Sequence, residues 1–188
     1  KNLPDGFGSA WVVNYYLKDT KVEYFGLNPS FNLKNMEDIL SNKNVLIVDL
    51  SFPKKDIKYL KNITNNFMII DHHQTYYDDI KDLENVELNT KHSAIYLTWK
   101  KFFPKKKVPL FINYIEDNDI KGNKYQDTYP FSTALPIKYP FNNQKYFKKW
   151  EQLLNKSNVT DLIKVGKVYM DYKNYILDRN SFIIKNIY

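Results

Sequence analysis

The chain has 188 residues with a mass of 22.5 kDa and a formal charge of +7; 43% of it is hydrophobic, 16% is aromatic and none of it is cysteine. That size supports one sizeable core, and the missing thiols exclude a disulfide framework, a thiolate metal site and a cysteine nucleophile. No apolar run approaches the roughly 20 residues that cross a bilayer and no basic-then-apolar leader is visible, so the expectation is an intracellular protein without a membrane partner.

Arg179 is the single arginine, so the basic charge is almost entirely lysine. Lysine is a point charge, whereas arginine is the usual bidentate fork for bases and phosphates, which argues against a sequence-specific DNA reader. Two readings of the charge stay open at this point, a compositional bias toward lysine and attraction of a polyanionic substrate.

In chain order, Gly8 to Leu17 has the pattern of a helix with Ser9 near its start. Lys21 to Gly26 alternates as a short strand. Asn44 to Leu50 is a continuous apolar run, as expected of a strand buried on both faces. Lys54 to Asn65 places Ile57, Leu60 and Ile63 at helical spacing, and Phe67-Met68-Ile69-Ile70 repeats the strand signal. Ser93 to Phe103 is helical, with Ile95, Trp99 and Phe102 on one side and Pro104 ending it. Leu110 to Ile115 runs apolar into Glu116-Asp117-Asn118-Asp119. From Gln144 onward the spacing of Tyr146, Phe147, Trp150, Leu153 and Leu154, and then of Leu162 to Ile176, predicts two helices around a turn at Asn155 to Asn158.

This alternation predicts an α/β fold with an open, mostly parallel sheet, helices on both faces and C-terminal helices. The expected organisation is a catalytic domain over residues 1–141. A helical extension over 142–188 either packs on it or leads toward a second domain.

In such sheets ligands bind beyond the carboxyl ends of the strands. Asp49 follows the first apolar run, Asp71-His72-His73 follows the second, and Asp5 precedes the first helix. Each has an ordinary structural explanation: a helix cap for Asp49, a turn for Asp5-Gly6, a strand terminus for the histidine pair. Together they form an oxygen- and imidazole-rich rim suited to Mn²⁺, Mg²⁺ or a similar ion. Alternation predicts that His72 and His73 point in opposite directions. His92 reads as a surface residue.

Asn2-Leu3-Pro4-Asp5-Gly6-Phe7-Gly8-Ser9-Ala10, Val48-Asp49-Leu50-Ser51 and Ile70-Asp71-His72-His73 occur in the order of the DHH phosphoesterase motifs, and the chain resembles that family from residue 2 to about residue 165. Ser93 to Trp99 and Tyr114 to Asp119 are similar to the segments that follow. The resemblance implies hydrolysis of phosphodiester or phosphoanhydride bonds by a metal-activated hydroxide. The implied substrates are short oligonucleotides, cyclic nucleotides or polyphosphate-like chains. It implies two divalent ions, Mn²⁺ first with Mg²⁺ or Co²⁺ as alternatives, and no organic cofactor. By position, Asp5, Asp49, His72 and Asp117 resemble the metal ligands, with Asp119 the alternative to Asp117. Asp49 would bridge the two ions. Asp71 and His73 would take catalytic roles, Asp71 orienting the site and His73 facing the substrate phosphate. The partner is then a phosphate-containing small molecule or a short single-stranded nucleic acid. Two departures stand out: any ligand upstream of Asn2 would precede Lys1, and the family's glycine- and histidine-rich second domain is not among these residues. The alternative reading is a catalytically degenerate DHH domain serving as a nucleic-acid or protein-binding scaffold.

Overall fold

The two apolar runs expected as buried strands are strands in the structure, and a third, shorter strand joins them. In a computed structural model, which describes residues 4–18, 20–28 and 30–185 (side chains to residue 179), β1 is Asn44–Val48, β2 is Asn66–Asp71 and β3 is Val86–Leu88. They form a three-stranded parallel sheet in the order β1-β2-β3, with Val48 opposite Ile70 and Asp71 opposite Leu88. The chain divides into two compact units, 1–108 and 109–188.

The first unit contains the sheet. Val45, Ile47, Phe67 and Ile69 alternate along β1 and β2 and so share one face, where they meet Ile57 and Leu60 of α3 (Lys54–Ile63). Leu33 and Met36 from a 3₁₀ turn, Leu40 from α2 (Glu37–Leu40) and Ile80 from α4 (Tyr77–Ile80) complete that cluster. Ile70 lies outside it yet is fully buried, so the opposite face is covered as well. There α1 (Pro4–Tyr16) approaches β1, and α5 (Ala94–Phe102) approaches β2. An aromatic stack ties α1 to α5: Trp11 and Trp99 lie parallel at 6.4 Å, and Tyr15 stacks on Trp11 at 5.4 Å.

The second unit is helical. α6 (Leu110–Asp119), α7 (Thr128–Lys138), α8 (Phe147–Trp150) and α9 (Lys156–Lys185) enclose Phe111, Ile115, Phe131, Leu135, Trp150 and Leu162. A Cβ on Gly166 of α9 would fall 1.9 Å from the Pro130 carbonyl oxygen, so the two helices touch backbone to backbone there. Among the described residues no helix is long and apolar enough to cross a membrane.

Several expectations need correction. Lys21 to Gly26 has no regular secondary structure and is not part of the sheet; the Tyr24 hydroxyl donates to Asn14 of α1 at 3.3 Å. The chain divides at 108/109, so the boundary expected at residue 141 lies inside the second unit, where α6 and α7 pack with α9. Asn2 and Leu3 lie outside the described residues.

Candidate metal centre

β1 and β2 run parallel and end together, which brings their following residues to one edge. Asp49 leaves β1 with its N–H still bonded to the Ile70 carbonyl at 3.0 Å, and then turns into the left-handed region with φ 57°. Aspartate tolerates that conformation better than most residues, but it remains a strained choice outside a turn that requires it. The strain aims the carboxylate across the sheet edge at the first turn of α1. Space for it exists because residue 6 is glycine: a Cβ there would lie 2.8 Å from Asp49 Oδ2.

Asp5 sits in that first turn and is 1% exposed. Its two oxygens accept from successive backbone N–H groups at the start of α5, Oδ2 from Ala94 at 2.8 Å and Oδ1 from Ile95 at 2.9 Å. A helix N-terminus has unsatisfied donors and a partial positive charge, and a buried carboxylate meets both. Asp5 is thus a tertiary cap that joins α1 to α5. Ser93, the usual capping position of α5, makes no such bond, and its buried hydroxyl has no partner.

His72 Nε2 lies 3.3 Å from Asp49 Oδ1 and 3.6 Å from Asp5 Oδ2. His73 Nδ1 bonds to Asp71 Oδ1 at 2.8 Å and lies 3.9 Å from Asp49 Oδ1. The two rings are 4.5 Å apart, so both imidazoles turn toward the same carboxylate. That overturns the expected divergence. β2 ends at Asp71, and strand alternation does not extend to the two residues beyond it. The rings differ in access: the His72 side chain is 13% exposed, that of His73 48%.

Asp71 is fully buried and anchors the edge. Burial alone would raise its carboxyl pKa, but hydrogen bonds from His73 and from the Ser51 hydroxyl outweigh it and hold the group below its ordinary value. The same bond to Asp71 raises the His73 imidazole against the opposing effect of its partial burial. With Nδ1 engaged by the carboxylate, Nε2 is the ring nitrogen of His73 left for a ligand. One ligand atom from each of Asp49, Asp71, His72 and His73 lies within 4.8 Å of the others. Carboxylate oxygens with imidazole nitrogens can hold a divalent ion; of the residues expected as ligands, Asp49 and His72 belong to this group and Asp5 lies beside them.

Asp117 belongs to the second unit, at the end of α6, as does Asp119. Asp117 is 2% exposed. Oδ1 accepts from the Lys124 N–H at 2.8 Å, and Oδ2 accepts from the Tyr125 N–H at 3.2 Å and from the Thr128 hydroxyl. A carboxylate offers about four lone-pair positions, and three are used here to hold the loop between α6 and α7. That is an internal structural role the motif did not suggest. Sequence reasoning also gave no role to Ser51 or to the N-terminus of α5; Ser51 lies in the quoted Val48-Asp49-Leu50-Ser51 motif, and Ser93 immediately precedes an apolar helical run.

No family model matches the chain. It is 30% identical over 201 residues to the uncharacterized protein R106 of Acanthamoeba polyphaga mimivirus, an alignment covering 97% of this chain and 46% of that protein. The chain therefore spans about half the length of the curated relative it matches. The crystal structure of an uncharacterized protein from Helicobacter pylori G27 is similar in fold, with a TM-score of 0.60 and 13% identity over 89% of this chain and 61% of that one.

Proposed function

We propose that the protein is a metal-dependent phosphohydrolase with a DHH-type catalytic fold. One observation carries the reading: Asp49 is held at φ 57° against a glycine, with both histidines turned toward its Oδ1. Strained backbone that converges side chains on one point at a sheet edge is more readily explained by a ligand than by folding alone.

Asp49 and His72 would hold the ions, Asp5 lending charge from the cap of α5. When bound, divalent cations would supply Lewis acidity toward a phosphoryl oxygen and toward the attacking water. Asp71 orients His73 through Nδ1 and keeps its proton in place. His73, the more exposed ring, presents Nε2 to the phosphoryl group and stabilises charge developing on it. Asp71 in turn is fixed by Ser51. The two-ion count, the choice of Mn²⁺ and the bonds attacked, phosphodiester or phosphoanhydride, come from the resemblance.

The test is a screen of Mn²⁺-dependent phosphate or nucleotide release from pyrophosphate, polyphosphate, cyclic dinucleotides and short oligonucleotides, with EDTA as the control. The expected result is EDTA-sensitive hydrolysis of at least one class together with stoichiometric Mn²⁺ binding by calorimetry. Failure of all four classes and of Mn²⁺ binding would overturn the reading.

A further inference from the structure

The loop from α6 to α7 builds a cleft of its own within the second unit. The cleft has a volume of about 390 Å³ and is bordered by Asn118, Lys121, Asn123, Tyr125, Gln126 and Tyr129, with Asp117 and Thr128 also in its lining. That volume lies in the range of small-molecule sites. We propose that this cleft binds a nucleobase with its attached phosphate, so that the protein's ligand is a nucleotide or a short single-stranded oligonucleotide rather than an inorganic phosphate chain. As a statement of substrate class this rests on the phosphohydrolase reading; the binding itself does not.

Three features support it. First, the loop is fixed from beneath. Asp117 pins Lys124, Tyr125 and Thr128, the Gly122 N–H donates to the Asp117 carbonyl at 2.9 Å, and Lys121 and Asn123 both take left-handed φ values of 54° and 51°. A loop held this way loses little freedom when it binds. Second, two aromatic rings face outward. Tyr129 is 54% exposed and Tyr125 40%, the latter held edge-on by Tyr114 at 5.6 Å and 77°. Exposed rings beside a groove are stacking platforms for bases, and they tolerate any base because each has a π-face. Third, the lining carries three amides, Asn118, Asn123 and Gln126, with Lys121 as its cation. Amides supply both donors and acceptors, which suits the mixed edge of a base. Lysine supplies the charge for a phosphate, for which a neutral sugar would have no use. Of the acids, Asp117 in the lining has its carboxylate engaged by the Lys124 and Tyr125 N–H groups and the Thr128 hydroxyl, and the nearby Asp127 is paired with Lys167 at 2.7 Å.

The experiment uses the whole chain in EDTA at physiological ionic strength, so the metal centre takes no part. A fluorescein-labelled tetraadenylate is titrated by anisotropy and then displaced by AMP, ribose 5-phosphate or pyrophosphate. Binding displaced by AMP but not by equal ribose 5-phosphate or pyrophosphate is expected. Tyr129→Ala should weaken it by about 5- to 100-fold, the usual worth of one stacked base, and Tyr129→Phe, which keeps the ring, should restore it. Tetraadenylate binding much tighter than AMP identifies an oligonucleotide as the source of the base; similar affinities identify a mononucleotide, and both support the cleft. Pyrophosphate competing as well as AMP would overturn the proposal, as would a Tyr129→Ala protein that binds like wild type. Base-dependent binding without Mn²⁺-dependent hydrolysis would defeat only the phosphohydrolase reading, whereas hydrolysis without base-dependent binding would defeat only this one.

Discussion

Asp5→Ala is the substitution that separates what the first aspartate does for the fold from what it does for a cation. Its carboxylate satisfies two backbone donors, Ala94 at 2.8 Å and Ile95 at 2.9 Å, and both of those residues are fully buried. Truncation leaves two N–H groups without water or partner, each costing about 1–3 kcal/mol. Some of that is offset because a buried carboxylate no longer has to be desolvated beside other acids, so the net loss should be about 2–4 kcal/mol. An ordinary helix cap costs about 0.5–2 kcal/mol on removal, and a domain has about 5–15 kcal/mol to lose. Asp5→Asn, which keeps one acceptor oxygen, should lose about half as much. Ser93→Ala is the internal control. At a normal cap it would be harmful, but here the hydroxyl is unpartnered, so the change should be neutral or slightly stabilising. The assay is urea denaturation in EDTA in a Trp150→Phe background, followed by the fluorescence of Trp11 and Trp99, which sit on the two helices that Asp5 joins. An Asp5→Ala protein within about 0.5 kcal/mol of wild type would refute the capping argument.

Asp49→Gly should abolish Mn²⁺ binding in calorimetry. Without metal it should stabilise the protein by about 0.5–1 kcal/mol in urea melts, because glycine takes φ 57° without strain. His73→Gln should keep most of the Mn²⁺ affinity yet lose about 10²–10³-fold in turnover, measured on whichever substrate the screen identifies. For Asp117, burial alone would raise the pKa, but the Thr128 hydroxyl and the Lys124 and Tyr125 N–H groups outweigh it and hold the group below its ordinary value. A depressed carboxylate contributes stability that is present above its unfolded pKa of about 3.9 and is lost as pH falls through the folded value. Thr128→Val should therefore lower stability by about 1–2 kcal/mol at pH 7, and the gap to wild type should narrow in urea melts below pH 4.

The first two strands and the main helices of the sheet unit were legible, β1 and β2 from continuous apolar runs such as Val45 to Val48 and α3 from the helical spacing of Ile57, Leu60 and Ile63. β3 was missed because three residues, Val86, Glu87 and Leu88, are too few to carry a period. α7 was not anticipated; it carries two prolines, Pro130 in the first turn, where its missing N–H is harmless, and Pro136 near its end. Lys21 to Gly26 shows the reverse error, since alternation signals a half-buried extended segment and cannot report whether another strand lies beside it. Within the site, Asp49, Asp71, His72 and His73 could be found by their position after strands. The capping of α5 by Asp5 could not, because a pairing across 89 residues leaves no local pattern. The direction of the histidines was misjudged for a related reason: a periodic rule was extended past the last residue of the strand.

The separation between Asp5 and Ala94 has a kinetic side. With neighbouring strands consecutive in sequence, β1, β2 and β3 associate across crossovers of fewer than 20 residues, far shorter than the span from α1 to α5. The link from α1 to α5 closes a loop of about 90 residues, whose entropy must be met before the bond repays it. The sheet should therefore assemble ahead of the pocket edge it supports. During synthesis, a nascent chain that has not yet released residue 94 would hold its strands but lack the docked first helix. Competence to take up an ion would then appear as the last event in the maturation of this unit, and a folding experiment that tracks Mn²⁺ capture should lag behind one that tracks backbone structure.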